Sequence, residues 1–226
     1  TSGGAINNSG EIATITGDFI GNYGSSSGST SGGAINNSGE IATITGDFIG
    51  NYASSSGSAA GGAIDNSGEI GNITGSFINN TAESTNGLAF GGAIFSTSPI
   101  NISANNAQSV FSGNKTISNG SVEQNAIAMY SLYLTDEAAA NFGLPSGGFV
   151  ANETFELSPQ NPAVLTLKAE NNGVIVFNDT IKGGALDANT LQPIETPETA
   201  FTLNITGDKT SQIYLNLSLI HISEPT

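Results

Sequence analysis

Residues 1–23 read TSGGAINNSGEIATITGDFIGNY, the same string returns unchanged at residues 30–52, and a third copy at residues 59–80 reads AAGGAIDNSGEIGNITGSFINN. This period of 29 residues constrains the fold more than any other feature. Self-similarity at about 20–50 residues marks stacked units that contact only their neighbours, not one layered core. A fourth, looser copy opens at Gly91 with GGAIFS and returns to phase at Phe111, and a late echo, GGAL, starts at Gly183.

Residue type excludes helical repeats. Within one unit the runs GAIN, IATIT and DFIGN are rich in Ile, Thr and Phe with period-2 alternation, and NSGE, TGD and a Ser/Gly stretch separate them. Leucine-rich repeats have a similar length but need regularly spaced leucines, which these copies lack. The residues therefore predict three short strands per repeat, a polar loop at residues 24–29 that bulges outward, and copies stacked about 4.8 Å apart. The expected fold class is all-β: a right-handed parallel β-helix (β-solenoid) with coils of about 29 residues in the N-terminal half and irregular coils in the C-terminal half.

Stacking the copies aligns Ile6, Ile35, Ile64 and Ile94 in one row, Ile12, Ile41 and Ile70 in a second, and Ile15, Ile44 and Ile73 in a third. Phe19, Phe48, Phe77 and Phe111 make a fourth row, and Asn22, Asn51, Asn80 and Asn114 a fifth in which amides can bond along the stack. Glycine pairs at 3/4, 32/33, 61/62 and 91/92 suit a tight corner, where positive φ or close backbone approach excludes a Cβ. Nearly half of the chain is Gly, Ser, Thr or Asn, too polar for a layered core. A narrow stacked interior needs no more apolar residues than these rows supply.

Charge narrows the chemistry further. The formal net charge is −15, so nucleic acid is excluded as a main partner. The chain has no Cys, which removes disulfide and thiolate chemistry, and no apolar run of membrane-spanning length. Glu11, Glu40 and Glu69 form a column of like charges that repel by roughly 0.9 kcal/mol at a separation of about 4.8 Å even in water, so they are read as solvated and not as a metal site. Asp18 and Asp47 make a shorter column that stops at Ser76. No cofactor is expected.

The regular repeats occupy residues 1–120 and irregular coils residues 121–216. In the second part, residues 149–157, 164–169, 174–177, 203–205 and 213–215 read as strands, with a turn at Asn171, Asn172 and Gly173. Residues 135–142, TDEAAANF, predict a short helix capped by Thr135 or Asp136, and residues 191–199 with Pro193 and Pro197 read as an excursion. The last ten residues, 217–226, read LSLIHISEPT and resemble the in-frame translation of a transposase-type sequencing-library adapter. They are set aside as read-through, and His221, the one histidine, goes with them. Without a leading Met or an h-region, the chain is expected to be an internal piece of something longer. Asn-x-Ser/Thr triplets, at Asn7 and Asn36 among others, follow from the abundance of Asn, Ser and Thr.

GGAI followed by Phe-x-x-Asn four times in alternation, with the second motif at 19–22, 48–51, 77–80 and 111–114, resembles the repeat pair of chlamydial polymorphic membrane proteins and related autotransporter passengers. Residues 165–184, LTLKAENNGVIVFNDTIKGG, are also similar to autotransporter passengers. The resemblance covers about half the chain and implies a bacterial surface-displayed or secreted β-helix carried outward by a C-terminal β-barrel translocator in the parent chain, with a host-cell or other surface receptor as its partner. It implies an adhesion motif at Phe19, Asn22, Phe48, Asn51, Phe77, Asn80, Phe111 and Asn114. On physics alone the same residues are a core stack and an internal amide ladder, which would leave adhesion to loops and outward faces.

A second function class remains open at this point. Parallel β-helices also resemble pectate lyases and polygalacturonases, and fold alone does not separate binding from catalysis. Glycoside hydrolysis needs an acid and a base carboxylate about 5–9.5 Å apart. Here the paired carboxylates, Asp18/Asp47 and Glu11/Glu40, come from duplicated copies, and the chain has no Arg. The non-catalytic reading is therefore preferred, and unpaired coil edges predict that the piece associates when made alone.

Overall fold

The computed structural model describes residues 3–133, 149–151, 156–158, 163–190, 192–194 and 201–216. They are all-β, mostly in parallel sheets, with no helix among the described residues. The helix expected at 135–142 and the tail at 217–226 lie outside the described residues.

Each of the first three repeats contributes one strand to each of five ladders, and the fourth repeat joins the first four of them. The first ladder joins Ile6–Asn8, Ile35–Asn37, Ile64–Asn66 and Ile94–Ser96, with the four isoleucines in register. The second joins Glu11–Thr16, Glu40–Thr45, Glu69–Thr74 and Ile100–Asn105. Phe19–Ile20, Phe48–Ile49, Phe77–Ile78 and Gln108–Ser112 form the third. The fourth holds Tyr23–Ser26, Tyr52–Ser55, Thr81–Ser84 and Lys115–Ser118, and the fifth Thr30–Ser31, Ala59–Ala60 and Ala89–Phe90. All of these pairings are parallel.

Five strands per repeat replace the three expected from the residues, and the loop predicted at 24–29 shrinks to a few residues after Ser26. The reason is residue size. The inward positions of the fourth ladder carry Gly24, Ala53 and Ala82, all buried, which fill a narrow interior without a large apolar side chain to signal it. The fourth repeat is one residue shorter than the third between the paired isoleucines, where the register shifts between Ile70 and Ile73, and it takes up its extra residues in a longer path from Ile102 to Phe111, which still pairs with Phe77.

Beyond the fourth repeat the pattern simplifies. Asn119 and Gly120, with φ of 50° and 80°, turn the chain tightly, so that Ser121–Tyr133 runs antiparallel to Lys115–Ser118. The same strand then continues parallel to Ile94–Ser96 through Ile94 and Ile127. One strand thus joins the fourth ladder to the first, and among the described residues the fifth ladder stops at Ala89–Phe90. Val164–Glu170 and Thr202–Gly207 extend the second ladder, Val174–Phe177 and Gln212–Leu215 the third, and Thr180–Asp187 the first. The strand expected over 149–157 is an antiparallel pair, Phe149–Ala151 with Glu156–Ser158. In the excursion at 191–199, Pro193–Ile194 pairs antiparallel with Leu186 and Ala185. The GGAL echo is out of phase: Ile181, two residues before Gly183, occupies the row of Ile94 and Ile127.

The core is the single column enclosed by the first, second and third ladders. Ile35, Ile64, Ile94 and Ile127, then Ile41, Ile70, Ile100 and Leu165, and the phenylalanine row from Phe48 onward are all fully buried or within 1% of it. Each side chain is covered by its equivalents above and below, so burial is set by the stack and not by the thickness of a layer.

Candidate functional site

The eight motif residues lie in two adjoining internal columns. Phe19, Phe48, Phe77 and Phe111 stack with ring centroids 4.7–4.8 Å apart and planes within 9°. Phe177, outside the motif, continues the column at 4.2 Å. The spacing is that of hydrogen-bonded strands, so the backbone register itself sets the ring separation.

The asparagines tie this column to the backbone. Asn80 Nδ2 donates to Asn114 Oδ1 (3.0 Å) and to the Phe48 carbonyl (2.9 Å), while Asn80 Oδ1 accepts from the Asn51 backbone N–H and from Asn51 Nδ2, both at 2.9 Å. Asn22 donates to Asn51 in the same way, and Asn114 Nδ2 reaches the Phe77 carbonyl at 2.8 Å. Phe and Asn are therefore one device: the amide of each repeat holds the carbonyl of the phenylalanine in the repeat before it. The residue preceding each Asn, at Gly21, Gly50, Asn79 and Gly113, has φ between 56° and 70°, which is why only Gly and Asn occupy it. Asp179 ends the ladder by accepting from the backbone N–H groups of Gly113 and Asn114 and from Asn114 Nδ2.

A second buried amide ladder runs parallel to the first. Asn8 Nδ2 donates to Asn37 Oδ1 (2.7 Å), Asn37 to Asn66 (2.8 Å), and Asn66 to Ser96 Oγ (3.0 Å). Each of these asparagines also bonds the carbonyl two residues on, at Gly10, Gly39 and Gly68, closing the turn between the first and second ladders. Sequence reasoning does not single these residues out. Their signal is the recurring Asn-x-Gly, an Asx turn that repeats in register.

The acidic columns divide. Glu11, Glu40 and Glu69 pair in register on the second ladder and are exposed. Asp18 accepts the backbone N–H of Asp47 (2.9 Å), Asp47 accepts that of Ser76 (2.7 Å), and Ser76 Oγ accepts that of Val110 (3.2 Å). The column read as ending at Ser76 thus continues through its hydroxyl, and the aspartates are occupied as backbone acceptors.

Asp65 departs from its row. It stands where the first two copies have Asn7 and Asn36 and the fourth has Phe95, and it is buried, with a hydrogen bond from Ser31 of the fifth ladder. Burial pushes its carboxyl up to about 6, with a hydrogen bond from Ser31 acting in the opposite direction. Because the folded state binds this proton more tightly than the unfolded chain, the charged form destabilises the fold above about pH 6. That penalty fades as pH falls towards the ordinary carboxylate value. Asp65→Asn is expected to raise stability by about 2 kcal/mol at pH 7.5 and by almost nothing at pH 4. Urea midpoints of the two chains at both pH values check this.

Where the fifth ladder stops, a cavity of about 270 Å³ opens between Phe90, Ser118, Glu123, Asn125, Tyr130 and Lys182. Ser118 Oγ accepts the Ala89 N–H at 2.9 Å, in place of the missing next strand. Lys182 and Glu123 pair at 2.6 Å, and Phe90, Phe95 and Tyr130 cluster with centroids 5.5–6.3 Å apart. Burial, then the neighbouring Glu123 charge, pushes the Tyr130 phenol up, so it stays a proton donor at neutral pH. Asn125 is 1% exposed, and its Oδ1 is the one buried side-chain polar atom without a hydrogen-bond partner among the described residues. No family model, curated protein or solved structure matches this chain. Its function is accordingly argued from the site alone.

Proposed function

We propose that the chain is a non-catalytic segment of a bacterial autotransporter-type passenger, folded as a right-handed parallel β-helix and displayed at the cell surface for adhesion. The observation that carries this reading is the inward use of the whole repeat motif. Phenylalanine, asparagine and glycine of every copy are occupied in holding one repeat on the next. A chain that visits five ladders in order and returns to the first after 29 residues winds as a coil, and parallel crossovers are right-handed in about 98% of cases.

Contact with a surface receptor then falls to the outside. Ile20 is 65% exposed and heads a row with the half-buried Ile49 and Ile78, beside the stacked pair Tyr23 and Tyr52 at 5.5 Å. Such a strip supplies apolar and aromatic contact area, as binding surfaces do. A C-terminal β-barrel in the parent chain would carry it outward.

The test sets saturable binding of the purified chain to cultured animal cells beside turnover on a panel of acidic polysaccharides. Binding without turnover is expected, reduced when Ile49 and Tyr52 are replaced by Ser. Turnover without binding overturns the proposal in favour of a polysaccharide-active enzyme.

A further inference from the structure

The fifth ladder breaks off inside the chain, and the cavity beside Phe90 stands where its next strand would lie. Its strands are held between the fourth ladder and the first: Thr30 Oγ1 donates to the Ser54 carbonyl at 2.8 Å on one side, and the Phe90 ring meets Phe95 at 5.5 Å on the other. Along the ladder, the first residue of each strand donates its N–H to a backbone carbonyl one turn further on, Thr30 to Ser58 and Ala59 to Leu88. Ala89 meets no such carbonyl. Its N–H goes to the side-chain oxygen of Ser118 instead, at 2.9 Å. Because the hairpin at Asn119 and Gly120 carries the chain straight from the fourth ladder to the first, no strand covers Ala89–Phe90 among the described residues.

Burial records the same interruption. Thr30 is 1% exposed and Ala59 0%, whereas Ala89, next in the same register row, is only half-buried. The cavity, about 270 Å³, starts at Ala89 and Phe90 and is walled by Ser118 and Ser121 on the side of the fourth ladder and by Ala128 and Tyr130 on the side of the first. These are the two walls that hold the earlier strands. The space therefore continues an interface that the chain already makes twice, Ala59 on Thr30 and Ala89 on Ala59. An open strand edge of this kind takes an extended segment through backbone pairing, with side-chain pockets setting which residues fit. Here the buried row holds Thr30 and Ala59, so a small side chain is what fits. At the rim Glu123 and Lys182 pair with each other at 2.6 Å, which leaves no charge to match and favours an uncharged segment.

We infer that this edge binds an extended, uncharged peptide segment of another polypeptide, with Ala, Ser or Thr at the inward position, as the next strand of the fifth ladder. In parallel register the residue before the inward position offers its carbonyl to the Ala89 N–H in place of Ser118 Oγ, and the residue after it offers its N–H to the Ala89 carbonyl. The inference does not depend on cell-surface display, because it concerns direct binding by the purified chain.

NMR titration of the isotope-labelled whole chain tests it, with the peptide Gly-Ser-Ala-Ala-Gly-Gly, the sequence of residues 57–62, blocked at both ends. Saturable shifts of the Ala89 and Phe90 amides are expected, with Kd of about 1 mM. Methylating the backbone nitrogen of the second alanine removes the N–H aimed at the Ala89 carbonyl and should weaken binding about tenfold. Leucine in place of the first alanine should abolish it. On the protein side, Ser118→Ala removes the stand-in acceptor and should tighten binding about threefold, while Ala128→Leu fills the space and should abolish it. Thermal unfolding establishes that both variants fold, and the methylated peptide tests the unaltered chain should either not. The inference is overturned by the absence of saturable shifts, or by a methylated peptide that binds as well as its parent. Shifts at Ala89 that grow with the concentration of the chain alone also overturn it, by assigning the edge to a second copy.

Discussion

Gly62→Ala is expected to cost more than about 4 kcal/mol, enough to abolish cooperative unfolding of the array at neutral pH. A Cβ at Gly62 would overlap the carbonyl oxygen of Gly92 in the next repeat and lie 2.6 Å from backbone atoms of Thr81. None of these atoms is the end of a flexible side chain. Moving them would break Gly62 N–H to Gly91 O and Gly61 N–H to Phe90 O, the bonds that hold the corner of one repeat on the next. Two other glycines of the same motif family set the scale. Gly50 has open space around a Cβ but φ of 63°, so Gly50→Ala should cost about 1–2 kcal/mol from left-handed backbone alone. Gly10 has neither constraint, and Gly10→Ala should fall within about 0.5 kcal/mol of the parent. Urea midpoints in the order Gly10, Gly50, Gly62 measure the series. Equal losses at Gly10 and Gly62 would mean that close approach is not what fixes the glycine pair.

The rows of isoleucine, phenylalanine and asparagine are legible in the sequence because identity between copies fixes register. Once Thr1 and Thr30 open the same string, the pairing of the first two copies follows residue by residue. What fails to announce itself is whatever depends on small residues. The fourth and fifth ladders are built on Gly, Ala and Ser, whose burial leaves no hydrophobic periodicity to read. The ladder of Asn8, Asn37 and Asn66 hides for a related reason: Asn is frequent throughout the chain, so a buried column of it does not stand out from the exposed Asn7 and half-buried Asn36 beside it.

The cavity is a different case. Its existence turns on one ladder stopping while its neighbours continue, a property of topology that no single motif encodes. A signal was nonetheless present. Asn119-Gly120 between KTIS and SVEQNAIAMY is a strong short-range hairpin cue, and a hairpin inside an otherwise parallel array must displace a strand. The second half also shows how the architecture tolerates change. Leu165 and Leu167 replace isoleucines on the second ladder, and Phe177 joins the ring column, while a repeat of different length connects them. The interior is conserved in shape across repeats whose sequences no longer match.

Phe77→Ala should lower stability by about 3–5 kcal/mol, the range for deleting a fully buried aromatic ring, with a further contribution from two lost ring contacts of about 0.5–1.5 kcal/mol each. Phe77 sits mid-column, 4.7 Å from Phe48 and 4.8 Å from Phe111, so the void it leaves is roofed and floored by rings whose positions the ladder fixes. Collapse to fill that void would require the strands to approach closer than their own hydrogen bonds allow. Phe19→Ala, at a half-buried position with one ring neighbour, should cost less than half as much. The comparison also separates the two meanings of the motif. An adhesion contact at Phe77 would lose cell binding in proportion to exposed area while leaving the urea midpoint near that of the parent. An internal stack loses the midpoint first, and Phe77→Leu, which keeps most of the volume, should recover at least half of it together with any surface binding.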